Sequence, residues 1–184
     1  GGRMGLGRLP WLVMCVMVLV AGRALAQTGY PAGEPLIGAT PLTAWRLTSN
    51  NGTATQVDVA GPGFTRAWRI ETRVDSSPSW AIEFKAPVTR AVARGDVALL
   101  RFVARAVAMS DESGAAYARL VVQKASPAYD KSLEGTHSIL GAWTEFFVPF
   151  AFAGDFAAGA VEVAFGLGFK RQTIEIGGFD FVYY

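Results

Sequence analysis

The 184-residue sequence predicts an all-β protein, either a two-sheet antiparallel β-sandwich or a barrel. Apolar and polar residues alternate with a period of two in one stretch after another, which is typical of strands with one buried face. Turn signals rich in glycine, proline and asparagine separate these stretches, and no segment has a convincing helical period. About eight to ten short strands are expected from this spacing.

Residues 1–26 have the three-part layout of a secretory signal peptide. Arg3 and Arg8 give a positive start, Trp11–Ala21 is an unbroken apolar run, and Ala24–Ala26 matches an A-x-A cleavage pattern. The apolar run is well short of the roughly 20 residues that a membrane-spanning helix needs. We therefore expect a secreted protein, extracellular or periplasmic, without a membrane contact after cleavage. A retained membrane anchor is the alternative.

Removal of this leader leaves a nearly neutral chain without cysteine. Arg3, Arg8 and Arg23 are lost with it, so 14 basic and 15 acidic residues remain and the net charge is −1. Such a chain has no electrostatic attraction for nucleic acid or for an anionic membrane. Cys15 also lies in the leader, which excludes disulfides and thiolate metal sites from the mature chain.

The strands are expected in residues 42–184, after an extended lead-in over residues 27–41 that is rich in glycine, proline and threonine. A glycine pair, Gly177–Gly178, predicts a bulge or bend in the last strand. The predicted apolar faces, strand by strand, are Trp68, Ile70 and Thr72; Trp80, Ile82 and Phe84; Leu100, Phe102, Ala104 and Ala106; Ala118, Leu120 and Val122; and Val161, Val163, Phe165 and Leu167.

Residues suited to catalysis are few. His137 is the sole histidine, so a histidine metal cluster is excluded and a Ser-His-Asp triad would have to use this residue. Glycosidases need two carboxylates at a fixed separation. The acids on the predicted strands are scattered singly: Glu71, Glu83, Glu145, Glu162 and Glu175. The sequence favours binding over catalysis, with a carboxylate pair assembled by the fold as the alternative.

A binding face is predicted from Arg101, Arg105, Tyr117, Arg119 and Gln123, which lie on the polar sides of two strands. If those strands are neighbours in one sheet, planar hydrogen-bond donors and an aromatic ring converge on one exposed surface. Such a surface suits sugars, whose C–H faces stack on aromatic rings while their hydroxyl groups pair with arginine and glutamine. The alternative is an ordinary solvated outer face.

Two aromatic residues are candidates for the rim of that surface. Trp80 alternates with Ile82 and Phe84, which favours the core, so both placements stay open for it. Tyr129 lies in the unusual stretch VVQKASPAYDKSLEG, Val121–Gly135. Loops on a rigid sandwich often carry binding groups, although a long hairpin connection is the alternative.

The runs RGDVALLRFVARAV, DESGAAYARLVVQKASPAYDKSL, WTEFFVPF and FGLGFKRQTIEIGGFDFVYY resemble carbohydrate-binding modules of families 4 and 9. The similarity covers most of residues 36–184. It implies a jelly roll of the galactose-binding-like type, with the last strand beside the first and a groove on one sheet that holds a glycan chain. Such modules commonly precede the catalytic barrel of bacterial family 10 glycoside hydrolases, the xylanases.

The resemblance implies a non-catalytic module that binds polysaccharide of the xylan or β-glucan type and holds a covalently linked enzyme near its substrate. One alternative is a fragment of an endo-1,4-β-xylanase whose catalytic domain follows Tyr184. Another is a purely structural sandwich that packs on a neighbouring domain. The expected ligand-binding residues are Arg101, Tyr117, Arg119 and Gln123 in the groove, with Trp80 and Tyr129 at its rim.

A structural calcium ion is the one cofactor that the resemblance raises. Related modules often end in a strand with the sequence I-D-D-V, whose aspartates help to bind it. The matching place here is Ile176–Phe179, which has two glycines, and Asp180 lies in a different register. We therefore expect no cofactor, or a calcium ion held by backbone oxygens.

Overall fold

The computed structural model describes residues 29–38 and 42–184, so the signal-peptide prediction lies outside the described residues. Within the described ranges, the one helical element is a single 3₁₀ turn, Ser79–Ala81. No helix in this part of the chain is long and apolar enough to cross a membrane.

The described residues form eleven β-strands. The sequence predicts fewer, because β1 and β2 have only two residues each and are too short to show alternation. In chain order the strands are β1 (Glu34–Pro35), β2 (Arg46–Leu47), β3 (Gly52–Gly61), β4 (Phe64–Thr72), β5 (Glu83–Pro87), β6 (Val97–Met109), β7 (Ala116–Lys124), β8 (Lys131–Ile139), β9 (Thr144–Ala151), β10 (Val161–Gly166) and β11 (Gln172–Tyr183).

The strands form two antiparallel sheets, which confirms the predicted two-sheet sandwich. The six-stranded sheet has the order β3-β4-β11-β6-β9, with β1 pairing to the end of β11. The five-stranded sheet has the order β2-β5-β10-β7-β8. The first strand therefore lies beside the last, as the resemblance implies, and the chain crosses between the sheets after β6.

The core lies between the two sheets and is built from the alternating apolar faces. Trp45, just before β2, joins the sheets through its ring contacts. Its ring stacks on Phe84 of the five-stranded sheet at 5.0 Å and on Phe179 of the six-stranded sheet at 5.2 Å, centroid to centroid. Ile70, Phe102, Leu120 and Phe165 are fully buried around it, as their spacing predicts. Aromatic contacts of this kind add stability beyond the apolar area that they bury.

The core begins earlier in the chain than the predicted boundary at residue 42. Leu36 and Ile37, which follow β1, are buried in it, and the backbone N–H of Leu36 donates to the carbonyl oxygen of Phe181 at 2.9 Å. Part of the predicted lead-in is therefore an edge of the sandwich. The alternation rule misses it because two residues of strand show no period.

The predicted bend in the last strand is confirmed. The pairing of β11 with β6 shifts register between Gly177 and Asp180. Gly178 has a φ of +58°, in the left-handed region that favours glycine. Its carbonyl oxygen accepts a hydrogen bond of 2.6 Å from Nη1 of Arg101.

A buried carboxylate holds together the outer face of the six-stranded sheet. The side chain of Glu175 is completely buried, and both of its oxygens are paired with arginine. Arg69 Nη2 lies 2.8 Å from Oε2, and Arg105 Nε lies 2.7 Å from Oε1. The Arg105 guanidinium also sits 4.6 Å from the ring centroid of Trp143. Three strands, β4, β11 and β6, are thereby joined through one side chain.

Replacing Glu175 with alanine is expected to lower the free energy of unfolding by about 2 kcal/mol or more, because two charge-assisted pairs are lost and two guanidinium groups are left side by side. Urea unfolding followed by fluorescence measures the change. Asp58→Ala is the control, since Asp58 is 85% exposed in its pair with Arg66, and exposed pairs contribute little. Equal effects of the two substitutions would contradict the structural importance of Glu175.

Candidate functional site

The outer face of the five-stranded sheet carries the polar side of β7. Ala118, Leu120 and Val122 point into the core. The intervening residues of the strand, Tyr117, Arg119 and Gln123, therefore point outward, and each is only partly exposed. The structure places these three predicted site residues on one face.

A groove of about 350 Å³ crosses this face, and we call it the Trp80–Tyr129 groove. Its lining residues are Trp80, Glu83, Arg119, Gln123, Tyr129 and Lys131. Four of the six predicted site residues therefore lie together in it. The sequence analysis did not assign Glu83 and Lys131 to the site. Alternation with Phe84 puts Glu83 on an outer face, but only the pairing of β5 and β7 with β10 brings it near Arg119.

Two small residues of β10 lie between the lining residues of β5 and β7. Gly166 is paired with Glu83 on one side and with Arg119 on the other, so no side chain separates these two residues along that row of the sheet. In the next outward row, Ala164 lies between Lys85 and a buried valine of β7. Both residues are buried, and the carbonyl oxygen of Ser79 would lie 3.0 Å from a Cβ atom on Gly166, so the turn that carries Trp80 packs directly on β10.

Trp80 is 60% exposed and lines the groove, so the expectation that it belongs to the core is wrong, and its role in binding stays a prediction. The 3₁₀ turn that carries it interrupts the two-residue period before β5 begins. A Cβ atom on Gly168 would lie 2.2 Å from the carbonyl oxygen of Pro78, so only glycine lets this turn approach so closely. The Trp80 ring centroid then lies 5.7 Å from Cζ of Arg119.

Tyr129 is 50% exposed at the opposite rim. It lies in the six-residue connection between β7 and β8, which the backbone N–H of Lys124 closes by donating to the carbonyl oxygen of Asp130 at 2.8 Å. Its φ of +55° is unusual for a residue with a side chain. The loop is thus a hairpin connection that also lines the groove, so its two sequence interpretations are compatible.

The charged groups of this face are paired with one another. Arg119 Nη2 lies 2.5 Å from Oε1 of Glu134. Lys85 Nζ lies 3.0 Å from Glu162 and 3.9 Å from Glu83. Arg46, on the edge strand β2, also reaches Glu162 at 3.1 Å. Apart from Lys131, the charged groups that line the groove therefore lie close to an opposite charge, and its many hydrogen-bonding groups suit a ligand rich in hydroxyl groups.

Burial raises the pKa of Glu83 above the ordinary value of 4.5. The nearby charge of Lys85 acts in the opposite direction, and the carboxylate of Glu162 adds to the increase. Burial outweighs the attraction of Lys85, since the ammonium group is 3.9 Å away and is shared with Glu162. Glu83 is the one acid among the lining residues of the groove.

Arg101 does not belong to this face, so the prediction that it shares a groove with Arg119 is wrong. It lies on β6 in the six-stranded sheet, where its Nη2 is 2.5 Å from Oε2 of Glu145. Arg105 lies on the same strand, in the pair with Glu175. The strands β6 and β7 follow each other in the chain, but their connection crosses from one sheet to the other, which local alternation cannot show.

Tyr117 shares the face of Arg119 but lines an adjoining space, the Tyr117–Phe169 cavity. Its ring centroid is 5.8 Å from that of Phe169. The buried side chain of Gln172 holds its backbone, accepting from the Tyr117 N–H at 2.9 Å and donating to the Tyr117 carbonyl oxygen at 2.7 Å. Tyr117 is therefore firmly placed beside the groove.

His137 packs within the sandwich. Its ring meets that of Phe146 edge-on at 5.6 Å, and burial lowers its pKa. Among residues 29–38 and 42–184, no group of three histidine, cysteine, aspartate or glutamate side chains is arranged to hold a metal ion. A calcium ion bound through backbone oxygens stays a prediction.

Solved structures of known proteins match the fold of this chain. No family model and no curated protein matches the sequence. A solved family 4 carbohydrate-binding module matches with a TM-score of 0.60 at 13% identity, over 77% of this chain and 96% of its own. The second N-terminal cellulose-binding domain of Cellulomonas fimi β-1,4-glucanase C matches with a TM-score of 0.59 at 20% identity, over 83% of this chain and 96% of its own. The chain has the fold of a carbohydrate-binding module.

Some structures with this module fold also contain a catalytic domain. In Clostridium thermocellum endo-1,4-β-D-xylanase 10B, a family 22 module is joined to a family 10 catalytic module in complex with xylohexaose. It matches with a TM-score of 0.54 at 13% identity, over 77% of this chain and 26% of its own. The resemblance found in the sequence is confirmed at the level of the module fold.

Replacing Glu83 with glutamine is expected to raise the melting temperature at neutral pH, because the native state no longer has to ionise a half-buried acid. The pKa of Glu83 is higher in the native state than in the unfolded state. Protonated Glu83 therefore stabilises the native state at low pH, and this contribution is lost as the pH rises through the native pKa. The gain should therefore disappear near pH 4. Thermal unfolding at several pH values measures it.

Glu134→Gln is the matched control for this prediction. The hydrogen bond that Arg119 donates to Glu134 lowers the pKa of Glu134, so the native state favours the ionised carboxylate. This substitution should lower the melting temperature at neutral pH, and its effect should shrink at low pH. Shifts of the same sign in both variants would show that burial does not dominate at Glu83.

Proposed function

We propose that the chain is a non-catalytic module that binds a polysaccharide of the xylan or β-glucan type in the Trp80–Tyr129 groove. One observation carries the proposal: two exposed aromatic side chains, Trp80 and Tyr129, line one groove together with the hydrogen-bonding groups of Arg119, Gln123 and Glu83. Sites for uncharged ligands combine apolar or aromatic walls with a few placed polar groups. A groove of this form accepts an extended chain.

Five of the six lining residues have a defined task in this proposal. The rings of Trp80 and Tyr129 stack against the C–H faces of sugar rings. Gln123 donates and accepts hydrogen bonds, and Arg119 donates to hydroxyl oxygens while Glu134 holds its guanidinium group in place. Glu83 accepts from a hydroxyl group when ionised. Because Glu83, Arg119 and Gln123 are positioned by strands, ordering them costs little entropy on binding.

The biological setting follows as part of the same proposal. The matched structures include a cellulose-binding domain and a module joined to a xylanase catalytic domain, which supports export and a covalently linked glycoside hydrolase. Tethering would keep the enzyme at a high local concentration of substrate. The choice between xylan and β-glucan rests on the binding measurements below.

A glycosidase activity is the second candidate, favoured by one observation. Glu83 and Glu162 both contact Lys85 and lie on the face of the groove. Hydrolysis needs one protonated acid, and burial raises the pKa of Glu83, so Glu83 would be the proton donor of such a pair. Release of reducing sugar by the chain alone, abolished by Glu162→Gln, would support this candidate. Its absence with retained binding supports the module.

Affinity electrophoresis in gels containing xylan, mixed-linkage β-glucan or mannan tests the binding proposal. Trp80→Ala and Tyr129→Ala should each weaken binding about tenfold, which corresponds to about 1.4 kcal/mol. The loss follows because each ring provides most of the apolar contact on its side of the groove. Migration that no polysaccharide slows would overturn the proposal.

Arg119→Ala and Arg101→Ala form a matched pair for the location of the site. Each arginine binds a glutamate of the neighbouring strand at 2.5 Å, and their side chains are 16% and 20% exposed, but they lie on opposite sheets. Arg119→Ala should weaken retention several-fold, and Arg101→Ala should leave it unchanged. The reverse pattern would place the ligand on the six-stranded sheet.

A further inference from the structure

A second and larger space adjoins the groove at one end of the sandwich. This Tyr117–Phe169 cavity has a volume of about 820 Å³. We propose that it is a second sugar subsite, which takes a neutral branch sugar of the polysaccharide whose backbone lies in the Trp80–Tyr129 groove. This inference rests on the proposed function and makes the preferred ligand a branched polysaccharide.

The two spaces meet along a short boundary. Ser79 lines the cavity and its neighbour Trp80 lines the groove. Thr136 lines the cavity and is paired directly opposite Arg119, which lines the groove. Tyr117 precedes Arg119 by two residues on one strand, so their Cα atoms are about 6.6 Å apart from the rise of a strand. That distance is comparable to one sugar ring, so a branch attached to a chain in the groove can enter the cavity.

The surfaces of the cavity suit a sugar. The rings of Tyr117 and Phe169 are tilted by 43° to each other and are both partly exposed, which leaves apolar surface for the C–H face of a pyranose or furanose ring. Hydroxyl groups of Ser76, Ser77 and Thr136 lie around them. Hydroxyl groups both donate and accept hydrogen bonds, as sugar hydroxyl groups do.

The walls of the cavity are fixed in place. The carboxylate of Asp75 accepts from the backbone N–H of Arg171 at 2.9 Å and pairs with Lys170 at 3.3 Å. The backbone N–H of Ser76 donates to the carbonyl oxygen of Phe169 at 2.8 Å. With Gln172 holding Tyr117, three separate chain segments are tied together, so the cavity is formed before a ligand arrives.

The charges in the cavity favour a neutral branch over a uronic acid. Lys170, its one cationic lining residue, is paired with Asp75. Asp111 adds a second carboxylate, and hydrogen bonds from Ser113 lower its pKa, so it stays ionised at neutral pH. Lys170 and Arg171 both already pair with Asp75, so a uronate would meet the carboxylate of Asp111 and find both cations engaged. An arabinosyl or galactosyl unit meets no such repulsion.

Isothermal titration calorimetry with three oligosaccharides tests the inference. The probes are a linear β-1,4-linked oligosaccharide, the same chain with one neutral branch, and the same chain with one uronic acid branch. The native protein should bind the neutral-branched probe about fivefold or more tightly than the linear probe. The uronic acid branch should give no gain. Equal affinities for the linear and neutral-branched probes would overturn the inference.

Three variants separate this inference from the proposed function. Phe169→Ala should abolish the advantage of the neutral branch and leave the affinity for the linear probe unchanged. Thr136→Tyr should do the same by filling the cavity from an exposed strand position, where tyrosine is well tolerated. Trp80→Ala should weaken the binding of both the linear and the neutral-branched probe. Phe147→Ala, an exposed phenylalanine on the opposite sheet, is the control and should change neither affinity.

The outcomes are distinguishable. If neither the linear nor the neutral-branched probe binds the native protein, the proposed function and this inference are both overturned. If the linear probe binds and the neutral branch adds nothing, only the branch subsite is overturned. If Phe169→Ala and Thr136→Tyr retain the native preference while their melting curves show a folded protein, the branch is bound elsewhere and the inference is also overturned.

Discussion

The register of β7 is the constraint on which the candidate site depends. Successive side chains of a strand point to opposite faces, so burial of Leu120 and Val122 forces Arg119 and Gln123 outward. A slip of one residue would exchange the two sets, burying a guanidinium group and exposing the core. The side chain of Gln172 prevents such a slip at the start of β7, because it bonds the backbone of Tyr117 from the other sheet. Core packing and site geometry are thus set by the same alternation.

Close backbone contact positions the rims of the groove as firmly as the register positions its strand residues. Gly168 donates its N–H to the carbonyl oxygen of Ser79 at 2.9 Å, and the absence of a side chain on Gly168 lets the turn that carries Trp80 lie against the end of β10. An exposed tryptophan would otherwise sample many positions, and ordering it on binding would cost free energy. The same contact brings Ser79 into the wall of the adjoining cavity. One turn therefore shapes both spaces on this side of the module.

The sequence was informative wherever structure is local and failed where it depends on distant pairing. Alternation identified the buried side of β6, β7 and β10, since burial on one face of a strand follows directly from its period. It could not show that β6 and β7 lie in different sheets, and so it placed Arg101 beside Arg119. Trp80 was ambiguous because a three-residue 3₁₀ turn breaks the period locally. Glu83 joined the site only through the pairing of β5 with β10, which is a contact between segments far apart in the chain.

Arg101 and Arg119 show why a sheet alone does not make a binding site. Both lie on strands, both pair with a glutamate of the neighbouring strand, and both are largely covered. Arg101 also donates from Nη1 to the carbonyl oxygen of Gly178, within its own sheet. Arg119 instead faces a space bounded by the turn of Trp80 and the hairpin of Tyr129. Two loops therefore convert a common strand arginine into a candidate ligand-binding group. Because neither aromatic ring belongs to the core, changes in these loops can alter the ligand while the sandwich that supports them stays the same.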